Sequence, residues 1–158
     1  MKFSSQEEYG LRCLLQIARL GTEGSLTIPE ISRIEGLSQT HVAKLLMILR
    51  KEGIITSTRG QSGGYSIARD PAEISVREVL EALGGRLYDA EFCGRHAGQL
   101  DVCKHSVDCS LKSLWQVIQG AVDSVVSSIS LADLIAESQS APNVSFFASP
   151  ARPTVPIR

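Results

Sequence analysis

Apolar residues recur at helical spacing through the first third of the chain, in three blocks separated by glycines. From Ser4 to Leu20, the residues Leu11, Leu14, Leu15 and Ala18 share one face, and Ser4 with Glu7 makes a capping box at the start. Gly21, Gly24 and Ser25 end that helix. Thr27 and Glu30 open a second, with Pro29 in the first turn where its missing N–H is no loss; it runs through Ile31 and Ile34 to Gly36. Ser38 is the N-cap of a third helix, which turns Val42, Leu45, Leu46 and Leu49 inward and stops at Gly53. The period then changes to two. Ile54 to Thr58 is β-branched and alternating, Gly60, Gly63 and Gly64 supply a tip, and Tyr65 to Ala68 returns as the paired strand.

Helical spacing resumes after the Asp70-Pro71 turn. Ser75 and Glu78 cap a helix through Val79, Leu80 and Leu83 that ends at Gly84-Gly85. Further on, Leu111, Leu114, Trp115, Ile118, Val122, Val125 and Ile129 form one long apolar stripe, and Ser130 with Asp133 restarts a short final helix. Beyond Ser138, four of the six prolines occur without any helical period, so this segment is expected to be a disordered tail. The order helix, short helix, turn, helix, two-stranded hairpin predicts a mainly α fold with a small β-wing, a winged helix-turn-helix followed by a long dimerisation helix. Its expected parts are a DNA-binding domain over 1–84, a cysteine loop over 85–109, dimerisation helices over 110–137 and the tail over 138–158.

Length and composition narrow the class. The chain has 158 residues, 43% of them hydrophobic, which suits one compact domain or two small ones sharing a core. No apolar run approaches the roughly 20 residues that cross a bilayer. The opening MKFSSQEEYG has no apolar core of a signal peptide. A cytoplasmic protein without membrane contact is expected, and a reducing compartment favours metal or redox chemistry over structural disulfides. The net charge of −1 hides a local patch. Between Lys44 and Arg69, the cations Lys44, Arg50, Lys51, Arg59 and Arg69 face only Glu52. A patch of this kind attracts phosphate, although a solvated surface face is the plain alternative.

In a winged helix, the start of the third helix meets base edges in the major groove of double-stranded DNA. Here that start is Ser38, Gln39, Thr40 and His41, followed one turn on by Lys44. Gln can pair with adenine, Ser and Thr can reach bases or phosphates, and Lys can reach guanine or phosphate. Arg59 and Gly63 would bring the wing against the duplex. Each feature alone has a bland counterpart, a helix cap, a surface histidine or an ordinary turn; their conjunction favours DNA over a protein-binding winged helix. Specific reading normally takes a dimer, and Leu111, Leu114, Trp115, Ile118, Val122 and Val125 are the obvious surface for a homodimer, with an intramolecular core helix as the alternative. An enzyme is the least expected class, since no phosphate-binding loop is present.

The segment FCGRHAGQLDVCKHSVDCS holds Cys93, Cys103 and Cys109 together with His96 and His105. It has no short Cys-x2–4-Cys knuckle, the usual mark of structural zinc. Spaced thiolates on a pliable loop suit a larger object such as an iron–sulfur cluster, but zinc and unligated thiols fit the spacing as well. Cys13, among leucines on the first helix, reads as a small buried hydrophobe.

Several stretches together resemble the bacterial iron–sulfur winged-helix transcription regulators, the IscR- and NsrR-like family. They are MKFSSQEEYGLRCLLQIA, IPEISRIEGLSQTHVAKLLMILRKEGII, STRGQSGGYSIAR, ISVREVLEAL, the three-cysteine loop and LWQVI…SISLADL, and the resemblance covers about residues 1–137. It implies that Cys93, Cys103 and Cys109 ligate a 2Fe–2S or 4Fe–4S cluster. It further implies that Ser38, Gln39, Thr40 and Arg59 contact an operator, and that the helix from Leu111 makes the homodimer. Two departures stand out. The first cysteine gap is longer than usual, and the IscR-like histidine one turn after the last cysteine is replaced by Lys112, whose ammonium is a poor ligand. In NsrR-like members a carboxylate on the first helix of the partner chain is the fourth ligand, and the matching position is Glu8; His105 and His96 are rivals. An ordinary ion pair between Glu8 and Arg12 is the plain alternative. Ala43 stands where IscR has an acidic selectivity residue. The implied function is a dimeric repressor sensing cluster status, nitric oxide or redox state, the alternative being a zinc- or thiol-based switch.

Overall fold

The computed structural model describes residues 3–58, 63–99 and 109–139. Arg59, Cys103, His105 and nearly all of the proline-rich tail lie outside these residues.

Among the described residues, seven helices and a small sheet occur, in the expected order but for one added short helix, the fifth. They are α1 (Ser5–Ala18), α2 (Ile28–Glu35), α3 (Gln39–Lys51), β1 (Ile55–Ser57), β2 (Tyr65–Ile67), α4 (Val76–Gly84), α5 (Phe92–Arg95), α6 (Ser110–Ser127) and α7 (Leu131–Gln139), with a single 3-10 turn at Pro71–Glu73. Capping sets the first two starts. The Ser4 hydroxyl accepts from the Glu7 amide while the Glu7 carboxylate accepts from the Ser4 amide, and Thr27 with Glu30 repeats the arrangement. Accepting the Thr27 amide and hydroxyl holds the Glu30 carboxyl below its ordinary pKa. Gly36 ends α2 with φ 68°, a left-handed conformation that only glycine adopts without strain, and so produces the turn into Ser38. The expected box at α4 is half made. Ser75 accepts from the Glu78 amide, but the Glu78 carboxylate pairs instead with Arg69.

Most of the residues read from the sequence as helix faces bury, but Leu11, Leu15 and Leu80 do so only in part, Ile34 stays 50% exposed, and Ile17 joins the core in addition. Leu14 and Ile17 of α1, Ile31 of α2, Val42, Leu45, Leu46 and Leu49 of α3, and Val79 and Leu83 of α4 form one core with Ile54, Ile55, Ile67 and Ile74. β1 and β2 pair antiparallel, Ile55 opposite Ile67 and Ser57 opposite Tyr65. Leu26 adds a one-residue antiparallel bridge to Tyr65, so the segment between α1 and α2 braces the base of the wing. This brace explains Gly64. A Cβ there would stand 2.9 Å from the Leu26 carbonyl oxygen, a backbone atom that cannot swing aside.

The last element also joins this core. Val76 donates to the Ile129 carbonyl at 2.8 Å and Leu131 donates to the Ile74 carbonyl at 2.9 Å, which lays the entry of α7 beside the entry of α4. Leu131 is thereby wholly buried among the winged-helix residues, although it comes from the segment grouped in the sequence with the dimerisation helices.

Candidate functional site

Two regions hold the residues singled out in the sequence. The first is the exposed start of α3. Ser38 N-caps it, accepting from the His41 amide at 3.3 Å, while Gln39, Thr40 and Lys44 face solvent. His41 is half-buried, and its ring makes a T-shaped contact with Tyr9 on α1 at 5.6 Å between centroids. Arg12 lies over the Tyr9 ring, 5.6 Å from its centroid, and its Nε donates to Glu35 at the end of α2 at 2.7 Å. Gln16 donates to the same carboxylate at 2.6 Å. One face of α1 therefore holds both helices of the helix-turn-helix, through Glu35 and through His41. Arg12 spends its guanidinium on Glu35, and Glu35 raises the guanidinium pKa first by that hydrogen bond and then by its charge. The i, i+4 pair with Glu8 is not formed.

Of the basic patch, Lys44, Arg50 and Lys51 remain exposed along α3, whereas Arg69 is engaged by Glu78. Gly63 lies at the described edge of the wing, next to the Thr58–Gly64 closure in which Thr58 and Gly64 exchange hydrogen bonds. The loop bearing Arg59 is outside the described residues.

The second region joins α5 to the start of α6. A short helix forms where the sequence predicted only a loop. Cys93 lies on this α5, and Cys109 is the N-cap residue of α6; both are half-buried. Near them is Tyr88. Its hydroxyl has a pKa above the ordinary tyrosine value, through desolvation first, then a hydrogen bond with Cys93 and the negative charge of the Cys93 and Cys109 thiolates and of Asp89. Tyr88 thus lies within electrostatic reach of both thiols. Around it, Phe92 packs on Tyr88 at 5.1 Å and on Trp115 at 6.3 Å, and the His96 ring stacks on Phe92 at 4.1 Å. His96 Nδ1 also lies 2.7 Å from the Phe92 carbonyl oxygen.

Polar anchors fix the entry to this region. Gln119, the one buried residue of α6, accepts from the Tyr88 amide at 2.9 Å and donates to Asp123 at 2.7 Å. Asp123 in turn pairs with Arg86. Arg95 donates to Asp89 at 2.8 Å, and this bond is the main reason the Asp89 carboxyl lies below its usual pKa. Tyr88, Gln119 and Asp123 were not singled out in the sequence. A signal existed for Gln119, an amide interrupting the apolar stripe one turn after Trp115; Tyr88 had none.

Glu8 sits apart from the thiols, exposed on α1 at the rim of a groove of about 350 Å³ between α1, α4 and α6. Among the described residues, no three Cys, His, Asp or Glu side chains of one chain converge as a metal site. The apolar stripe of α6 divides. Ile118 and Val122 turn partly inward, while Leu111, Leu114, Trp115 and Val125 stay exposed, Leu111 by 57%. Among the described residues no helix is long and apolar enough to cross a membrane.

A helix-turn-helix with a two-stranded wing, a cation-bearing third helix and a thiol-bearing segment leading into a long, half-bare helix defines a DNA-binding transcription regulator of the winged-helix class. The chain matches the family described as "Rrf2: Iron-dependent Transcriptional regulator" over residues 3–137. It belongs to the Rrf2 family. A relative named HTH-type transcriptional regulator IscR, from Photorhabdus laumondii, is 32% identical over 85% of this chain and 79% of its own length. Protein rrf2 of Nitratidesulfovibrio vulgaris is 32% identical over 90% of this chain and 92% of its own. Among solved structures, T. potens IscR superposes with a TM-score of 0.68 at 30% identity, covering 90% of this chain and 93% of that one. CymR, described as the global cysteine regulator of B. subtilis, also reaches 0.68, at 26% identity over 86% of this chain and 97% of that one. These relatives are regulators of transcription rather than enzymes.

Proposed function

We propose that this Rrf2-family regulator acts as a homodimeric repressor whose operator affinity responds to an iron–sulfur cluster held by Cys93, Cys103 and Cys109. The observation that carries the reading is the placement of two half-buried free thiols, Cys93 on α5 and Cys109 at the start of α6, with Phe92 beside the first packed on Trp115 of α6. Two half-buried thiols outside any disulfide, one of them at the positive end of an 18-residue helix, make donors suited to an anionic metal–sulfur group. Cys103 belongs to the segment between them. Glu8 of a second chain is the proposed fourth ligand, because Arg12 gives its hydrogen bond to Glu35 and acts on the Glu8 carboxylate only through its charge, so that no hydrogen bond or close ion pair holds this carboxylate among the described residues. His96 is disfavoured by its stack on Phe92, and His105 stays a rival. When bound, a 2Fe–2S or 4Fe–4S cluster supplies reactivity toward oxidants and nitric oxide.

The chain's own residues do the rest. Gln119 and Asp123 tie the cysteine segment to α6, and Arg86 ties it to the end of α4, so a change at the thiols reaches a helix packed on α1 and α3. Ser38, Gln39, Thr40 and Lys44 present polar and cationic groups to the major groove, with Arg59 and Gly63 at the wing; His41 positions α3 through Tyr9. The exposed part of the α6 stripe, Leu111, Leu114, Trp115 and Val125, supplies the dimer surface, with Ile118 and Val122 behind it.

Anaerobic purification with an absorption spectrum and iron and acid-labile sulfide assays tests the cluster. Matched iron and sulfide in the parent, lost in Cys93→Ala, Cys103→Ala and Cys109→Ala with the dimer retained, is the expected result. A protein that stays colourless after anaerobic reconstitution removes the cluster and leaves a thiol or zinc switch. That second reading has its own support in the fold likeness to an oxidised form of Staphylococcus aureus CymR, with a TM-score of 0.65 at 27% identity.

A further inference from the structure

On α3, Val42, Leu45, Leu46 and Leu49 are fully buried, yet Met47 is 59% exposed. A single exposed apolar residue is ordinary on a protein surface, so its meaning depends on its neighbours. Thr40, Ala43, Lys44 and Met47 stand at i, i+3, i+4 and i+7, and Lys51 follows one turn later. That spacing is one continuous stripe, on the side of the helix opposite the core. Met47 is therefore an apolar side chain framed by cations, Lys44 before it and Arg50 and Lys51 after it, all exposed.

This stripe is the one that lies in the major groove when Thr40 and Lys44 meet base edges, so the present inference rests on the DNA-binding role of α3. Seven residues advance an α-helix by about 10 Å, roughly three base-pair steps at 3.4 Å each. Met47 thus reaches a base pair of its own, about three steps from the one under Thr40. Major-groove edges offer donors, acceptors and a single apolar group, the C5-methyl of thymine. A thioether makes no useful hydrogen bond to the polar edges and would desolvate them at a cost, whereas its polarisable, unbranched chain packs well on a methyl group. We propose that Met47, with Ala43 beside it, is a specificity-determining residue that reads a thymine methyl in each operator half-site.

The test uses the full-length chain, with and without anaerobic reconstitution. Duplexes selected by the parent from a random-sequence pool serve as probe, and each thymine of the selected half-site is replaced singly by deoxyuridine, which removes only the 5-methyl. One thymine per half-site should weaken parent binding by about fourfold on replacement, the transfer value of a single methyl (~0.8 kcal/mol). Met47→Ala should lose that sensitivity at that thymine alone, and Met47→Leu should retain it; thermal melts verify that both variants fold. A parent indifferent to every replacement overturns the assignment without any variant. So does an equal penalty in parent and Met47→Ala. In either case persistent, salt-dependent duplex binding leaves the DNA-binding role of α3 intact. A parent that selects no duplex and shows no salt-dependent affinity overturns that role and the Met47 assignment with it.

Discussion

Leu131→Ala is the sharpest test of how the C-terminal helix relates to the DNA-binding fold. Leu131 opens α7, yet it is 0% exposed, held beside Ile74 by its own amide and by the Val76–Ile129 bond. The substitution removes three carbons, and at about 0.8 kcal/mol per buried methylene the transfer loss is about 2.4 kcal/mol. Leaving a cavity adds to this, which places measured Leu→Ala changes at fully buried sites in a range of about 2–5 kcal/mol. α7 lies at the edge of the core and can move inward, so the expected loss is about 3 kcal/mol. At this chain length, that corresponds to a fall in Tm of roughly 6–12 °C. Urea unfolding of parent and variant at one protein concentration, followed by circular dichroism, measures it, with an unchanged m-value as the sign of a shared unfolded state. Leu46→Ala, equally buried on α3, should lose a similar amount; Met47→Ala should stay within about 0.5 kcal/mol. A Leu131→Ala loss below about 1 kcal/mol beside a normal loss at Leu46 would show that α7 does not pack into the winged-helix core.

Gly64→Ala should displace the wing from its Leu26 brace, lowering stability by about 1–3 kcal/mol and weakening DNA binding; wild-type values for both would mean the brace is dispensable. Leu114→Glu places a charge in the exposed α6 stripe and should yield folded monomers by analytical ultracentrifugation, while an intact dimer would remove this stripe from the interface. Burial raises the Cys13 thiol from 9.0 to about 11. Its unfolded thiol ionises first as pH rises, so stability present below pH 9 is lost between about pH 9 and 11. Cys13→Ala should flatten that part of the pH–stability curve relative to the parent, and superimposable curve shapes would show the thiol to be solvated. Alkylation at pH 8 followed by mass spectrometry should accordingly mark Cys93 and Cys109 in the apo protein and spare Cys13.

Much of the molecule was legible in the chain because local energies and the wider fold agree there. Ser4–Glu7 and Thr27–Glu30 satisfy helix ends with neighbours three residues away, and Gly36 supplies a backbone conformation that other residues avoid. The buried faces of α1, α3 and α4 follow from a spacing of three and four, and the wing follows from the change to alternation. The three cysteines, the basic run on α3 and the glycines near Arg59 were equally plain, since each is a matter of residue type and interval.

Contacts between residues far apart in sequence have no such trace. Glu78 could have completed its capping box, but Arg69 stood near enough to claim the carboxylate; Arg12 likewise took Glu35 rather than Glu8 because α2 crosses its end of α1. Periodicity assigned α6 a single apolar stripe, whereas packing against α4 divided it into an inward part and a bare one. Tyr88 came within electrostatic reach of Cys93 and Cys109 with its backbone pinned to α6 by Gln119. Spacing along a chain specifies which face of an element is apolar and where the element stops. Which partner a side chain meets depends on how those faces pack, a choice made by burial and shape over the whole core.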